Sequence, residues 1–148
     1  MTEPNFMELA LAEAEAAAKR GEVPVGCVIV QGGAVIARAG NRTLVDHDPT
    51  AHAELLAVRE AARVLGSERL TDCDLYVTLE PCTMCAAAIS FARFRRIYYG
   101  APDPKGGAID SGVRFFGQPT CHHHPEVYGG IGEARAAALL RDFFAARR

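Results

Sequence analysis

His52-Ala53-Glu54, followed by Pro81-Cys82-Thr83-Met84-Cys85, is the pairing around which this chain of 148 residues is organised. It offers three zinc-type ligands, His52, Cys82 and Cys85, and one carboxylate, Glu54, that the ligand set does not need. Three protein ligands leave the fourth tetrahedral position of a zinc ion open to water, which separates a catalytic site from a closed structural one. One zinc per chain is therefore the expected cofactor. Two thiolates and a neutral imidazole offset the charge of Zn²⁺. Such a neutral centre activates water less than an all-histidine one, so a general base is needed nearby, and Glu54 is the candidate. A lone Cys-x-x-Cys suits a structural zinc knuckle or a disulfide just as well. His52, Glu54 and Pro81 tip the balance to catalysis.

Outward from this pairing, the periodicity predicts a helix from about Asn5 to Arg20, with Phe6, Leu9, Ala10 and Ala14 on one face and Gly21 ending it. The apolar runs Val23–Val30 and Ala34–Ala39, joined through Gln31-Gly32-Gly33, read as a hairpin. Asp48-Pro49-Thr50 suggests a helix start with Thr50 as N-cap and Leu55, Leu56, Val58 and Ala62 as the buried stripe. Leu75–Leu79 and Arg96–Gly100 read as strands, and Pro81 opens a helix to about Ala92. Cys82 and Cys85 then share a helix face at its positive end, where thiolate is favoured over thiol. Residues 101–126 form a long irregular stretch, too long for an idle connection. A helix from about Gly132 to Arg148 closes the chain, with Ala136, Leu139, Leu140, Phe143 and Phe144 apolar. A hairpin followed by strand–helix alternation points to an α/β fold, a mixed sheet covered by helices.

The chain suits one domain over residues 1–148, large enough to bury a core without disulfides. No apolar run reaches the roughly 20 residues of a membrane span, and Met1-Thr2-Glu3-Pro4 lacks the layout of a signal peptide. Five cysteines, two of them in the C-x-x-C, suggest reduced thiols and a cytoplasmic location. The net charge of −2 hides an asymmetry. Residues 1–89 carry 7 Lys/Arg against 13 Asp/Glu, and residues 90–148 carry 9 against 5. The basic half, including Arg93, Arg95, Arg96, Lys105, Arg114, Arg135, Arg141, Arg147 and Arg148, suits either an anionic partner or solvated helix faces.

The H-x-E and P-C-x-x-C pairing is the known signature of zinc nucleobase deaminases, and the chain resembles the cytidine-deaminase superfamily. Within it, the chain is similar to the bacterial tRNA-specific adenosine deaminases over nearly its whole length. The matching stretches are Glu22–Gly26, Gly40-Asn41-Arg42, Asp48–Glu54, Tyr76–Cys82, Gly100-Ala101 with Asp103 and Lys105, and Asp142–Phe144. The resemblance implies a three-layer α/β/α fold on a central mixed five-stranded sheet, a homodimer, and conversion of the wobble adenosine of a tRNA anticodon to inosine. It implies His52, Cys82 and Cys85 as zinc ligands, Glu54 as proton shuttle and Asn41 as a contact to a flipped nucleotide. Ala53, Asp103, Lys105, Phe144 and Arg147 are the further candidate substrate contacts. Free cytidine deaminases use cysteine in place of His52, and guanine deaminases commonly place proline where this chain has Thr83. Departures from the pattern are Pro102 and Pro104, the Cys121-His122-His123-His124 run and the end at Arg148.

Several of these residues have an ordinary reading beside the functional one. Asn41 beside Gly40 also suits a turn, and Asp103 with Lys105 also suits a solvated pair. A carboxylate that meets RNA needs a donor to offset phosphate repulsion, and a ribose 2′-hydroxyl is one, so Asp103 is the candidate for RNA preference. The histidine run suits a capping loop better than a second metal site. Phe143 and Phe144 point to adjacent helix faces, so one is free to stack on a base or to join a dimer contact. The expected function is zinc-dependent deamination of an anticodon-loop adenosine. A deaminase of free bases or nucleosides and a non-catalytic zinc-bearing RNA-binding module are the alternatives.

Overall fold

The computed structural model describes residues 5–147, so the Met1–Pro4 start and Arg148 lie outside the described residues. The first helix, α1 (Phe6–Lys19), begins where Asn5 Oδ1 accepts the Glu8 N–H, an N-cap that satisfies one free helix donor. Strands β1 (Gly26–Gln31) and β2 (Ala34–Gly40) form the hairpin, with Gly32 and Gly33 both at positive φ in the turn. There follow α2 (Ala53–Leu65), β3 (Cys73–Leu79), α3 (Thr83–Ala92), β4 (Arg96–Ala101), β5 (Glu126–Tyr128) and α4 (Glu133–Ala145).

The strands make one five-stranded sheet in the order β2-β1-β3-β4-β5. β1 is antiparallel to β2 and β3, whereas β3, β4 and β5 run parallel. Side chains alternate across the pleat and feed two cores. Cys27, Ile29, Leu75, Val77 and Ile97 meet α2 and α3 on one face. Val28 and Val30 meet α1 and α4 on the other. This is the expected three-layer α/β/α arrangement. Gly26 and Gly40, partners in the β1–β2 register, let α1 lie directly on the sheet. A Cβ on Gly26 would stand 1.9 Å from the Ala10 carbonyl oxygen.

Three local expectations are corrected. The first strand starts at Gly26 and not Val23. Pro24 has no N–H for a ladder, the Val25 N–H turns back to the Val23 oxygen, and Val23 and Val25 end on a cavity wall. The N-cap of α2 is His52 and not Thr50, whose N–H and hydroxyl both bond to Asp48 Oδ1. The buried face of α2 is Ala53, Glu54, Ala57 and Ala61, while Leu55, Leu56, Val58 and Ala62 are half-buried at its flanks. Small side chains let the helix approach the sheet closely, and this displaces the larger ones sideways.

Candidate active site at two helix N-termini

The parallel β3–α3–β4 unit and the end of β2 deliver two helix starts to one place. His52 is the N-cap of α2 and Cys82 the N-cap of α3, and neither side chain caps its own helix. Both turn inward instead. His52 Nδ1 lies 3.7 Å from Cys82 Sγ and 3.5 Å from Cys85 Sγ. All three ligand atoms lie within 4.8 Å of one another. A tetrahedral ion about 2.3 Å from sulfur and about 2.05 Å from nitrogen sets N and S roughly 3.6 Å apart, so the spacing fits zinc. The hydrogen bond from Cys85 and the one with His52 bring Cys82 down to about 4, the thiolate form that a metal needs.

Glu54 stands in the first turn of α2, 4% exposed. Burial, and then the neighbouring Cys82, push its carboxyl up to about 7. A group poised there can both take and return a proton near neutral pH. His52, Glu54 and Cys82 open into a cavity of about 270 Å³, walled by Val23, Val25, Asn41, Thr43, Leu79, Glu80, Asp103 and Gly106.

Residues 1–101 match the cytidine and deoxycytidylate deaminase zinc-binding region. The chain is 65% identical over 144 residues to the tRNA-specific adenosine deaminase of Agrobacterium fabrum, covering 97% of this chain and 95% of that one. The chain belongs to the tRNA-specific adenosine deaminase family. A solved structure from a study of A-to-I editing by tRNA:A34 deaminases at the wobble position of transfer RNA superposes on this deaminase with a TM-score of 0.90. It is 66% identical, over 91% of this chain and 98% of that one. The guanine deaminase of Bacillus subtilis is similar over 69% of this chain and 66% of its own, at 43% identity and a TM-score of 0.66. His52, Cys82 and Cys85 of this deaminase fit one zinc ion per chain.

The remaining expected residues divide by position. Asn41 is on the cavity wall, and its Oδ1 accepts the Ala53 N–H at 2.8 Å. Ala53 is wholly buried behind the wall, and its N–H orients that amide. Asp103 lines the cavity, and its Oδ1 accepts the N–H groups of Lys105 and Gly106, so it also folds its own loop. Lys105 is exposed on that loop, outside the cavity wall. Phe143 is buried and Phe144 is 47% exposed, on the last turn of α4. Arg147 follows, its guanidinium 3.5 Å from the Phe143 ring centroid. Arg95 just before β4 and Arg96 at its start lie at the end of the sheet away from the cavity, and both are paired, with Asp74 and Glu126. The histidine run ties its loop to the turn between α3 and β4: His123 Nε2 bonds the Phe94 carbonyl oxygen at 2.7 Å.

Two buried carboxylates escaped the sequence reading. Glu22 accepts the N–H groups of Leu44 and Val45 and the Thr43 hydroxyl, and Glu80 holds the opposite wall. Burial opposes the charge of Glu22, but the bonds from Val45, Leu44 and Thr43, with Arg20 nearby, hold it below the usual carboxylate range. Their partners are mainly backbone amides 22 to 31 residues away, which leave no mark in a sequence. The available signal was Glu80 closing an apolar run directly before Pro81; Glu22, between Gly21 and Val23, offered none.

Proposed function

We propose that this protein hydrolytically deaminates adenosine to inosine at the wobble position of a tRNA anticodon. The observation that carries the reading is Glu54, buried and not a ligand, beside a three-ligand cluster at the floor of a cavity that suits one base. At about 270 Å³ the cavity is below the ~300–1,000 Å³ of drug-sized sites and suits one base, which a polymer presents by extruding its target nucleotide. Bases of an anticodon loop are partly unstacked, which lowers that cost. When bound, zinc supplies Lewis acidity that makes water a nucleophile at neutral pH. Glu54 takes the proton of the attacking water as its oxygen adds to C6 of the adenine. Glu54 hands that proton to the ring nitrogen, then takes the remaining proton from the added hydroxyl and passes it to the amine, which leaves as ammonia while the carbonyl of inosine remains. Asn41, held by Ala53, presents its amide to the base, and Asp103 retains a second carboxylate oxygen for a ribose hydroxyl. Lys105 and Arg114, with Phe144 and Arg147 farther out, supply contacts to the anticodon stem-loop.

The likeness to a guanine deaminase and the small cavity favour a second reading, deamination of a free purine. Incubation with total tRNA followed by sequencing decides between them. Adenosine read as guanosine at one anticodon position supports the first reading. Ammonia from free bases with unedited tRNA overturns it in favour of the second.

A homodimer completes the proposal, with the groove between α2 and α3 as its surface. Leu55, Val58, Ala62, Ala88 and Phe91 line it, Phe91 is 72% exposed, and Arg59 and Glu68 stand at its rim. One charge of each sign lets a second copy pair both across a twofold axis. All five cysteines are free and no described helix is long and apolar enough to cross a membrane, which supports a cytoplasmic setting.

A further inference from the structure

Glu80 follows β3 and stands two residues before Cys82, yet it is not a ligand. Its side chain is 2% exposed, and no cation pairs with it among the described residues. Its partners are amides. Oε2 accepts three successive backbone N–H groups, from Ile109 at 3.0 Å, Asp110 at 2.9 Å and Ser111 at 2.9 Å. Oε1 accepts the Asp103 N–H and the Ser111 hydroxyl, each at 2.9 Å. Successive amides converging on one point form a nest that suits an anion. Here the chain's own carboxylate fills it. The fit is tight, because a Cβ on Gly107 would stand 2.5 Å from the Glu80 carboxyl carbon. The backbone on either side is fixed as well, Glu80 N–H to the Ala101 oxygen and Ala108 N–H to the Pro81 oxygen.

The segment so held has no regular structure from Pro102 to Arg114, yet its Asp103 and Gly106 line the cavity above Glu54. We infer that Glu80 is the positioning residue that sets this wall, and with it the affinity for the target nucleotide. The inference rests on reading the cavity as a nucleoside site. A buried carboxylate is costly unless fully hydrogen-bonded, and a loop needs only apolar contact to stay attached. Five bonds at both ends of one loop hold it in place far more narrowly. That accuracy matters because Asp103 and Gly106 meet the nucleotide as it binds, and a wall that must be ordered first weakens affinity.

In Glu80→Gln one acceptor oxygen becomes an NH₂. If the amide oxygen faces the nest, the NH₂ opposes the Asp103 N–H, and the other orientation opposes three N–H groups. The experiment compares zinc content, amide exchange and steady-state kinetics on an anticodon hairpin. The Gln variant is expected to keep its zinc and to exchange at Asp103 or at Ile109–Ser111 on the order of tenfold faster, with KM up about tenfold and kcat within about threefold. Gly107→Ala displaces the same contact with Glu80 intact and should give the same split, which covers failure of the Gln variant to fold. Asp74→Asn, breaking the Arg95 pair at the other end of β3, serves as the control for a purely structural loss and should leave KM unchanged. Unchanged exchange, or faster exchange with KM within about twofold of wild type in both variants, overturns the inference. Failure of the substrate reading looks different: the wild type itself turns over no hairpin. In that case free-purine affinity decides, and equal affinity in wild type and both variants overturns the role of Glu80.

Discussion

A carboxylate in the first turn of a helix normally faces solvent, where it stabilises the positive helix end. Glu54 is buried there instead, and its pKa is raised because desolvation outweighs the hydrogen bonds available to it. Such placement costs stability and suits a group that must hold a proton for part of a cycle. Glu54→Ala is therefore expected to keep one zinc per chain and its RNA affinity while turnover falls by about 10²–10⁴-fold. Metal analysis beside single-turnover rates checks this, and loss of zinc would make Glu54 a ligand and end the proposed mechanism. The metal set was legible because its residue types are rare and their spacing is short. Asn41 was legible only as one of two readings. Its position on the wall follows from a bond to Ala53, which joins residues brought together by folding.

Between residues and molecule stand the two loops that wall the cavity, each tied down by one buried carboxylate. Their existence was visible as irregular stretches, and the termini of β2, α2, β3 and β4 that frame them were read to within a few residues. The α2 face was not, because an alanine stripe carries a weaker apolar signal than the leucines and valine beside it. Burial chose the stripe by closeness of approach, not by hydrophobicity. The Glu22 loop offers a test with a definite sign. Its folded pKa lies below the unfolded value of roughly 4.3, so its stabilisation is fully present above that value and is lost as pH falls through the folded one. The wild-type melting temperature should exceed that of Glu22→Gln most at neutral pH, and the gap should close below about pH 4. Subtracting the variant removes the acid loss of metal that both proteins share. A gap that stays constant down to pH 3 would deny Glu22 its ionised role.

At the scale of the whole molecule, the charge asymmetry of the sequence is largely internal. Arg95, Arg96 and Arg135 answer carboxylates at Asp74, Glu126, Glu8 and Glu15. Lys105 and Arg114 on the cavity loop have no such partner among the described residues. Replacing both with Ala should flatten the salt dependence of hairpin affinity by about 1.4 in log–log slope, at roughly 0.7 per phosphate contact on single strands, with zinc unchanged. An identical slope would move the footprint elsewhere, with Arg147 next to test. The α2–α3 groove raises the last question of scale. Those helices carry all three metal ligands and Glu54 at or near their N-terminal ends, so whatever covers the groove also braces the site from behind. A twofold copy would bury Phe91 and match Arg59 of one chain with Glu68 of the other. Phe91→Glu places a charge in that contact, and burying it unpaired costs several kcal/mol, enough to dissociate a dimer of ordinary affinity. Sedimentation should show wild type at twice the chain mass and the variant at the chain mass. A Glu68→Arg variant should weaken association by placing like charges across the axis, and adding Arg59→Glu should restore it. A dimeric Phe91→Glu protein, or a double reversal that fails to re-associate, would place the interface on another face.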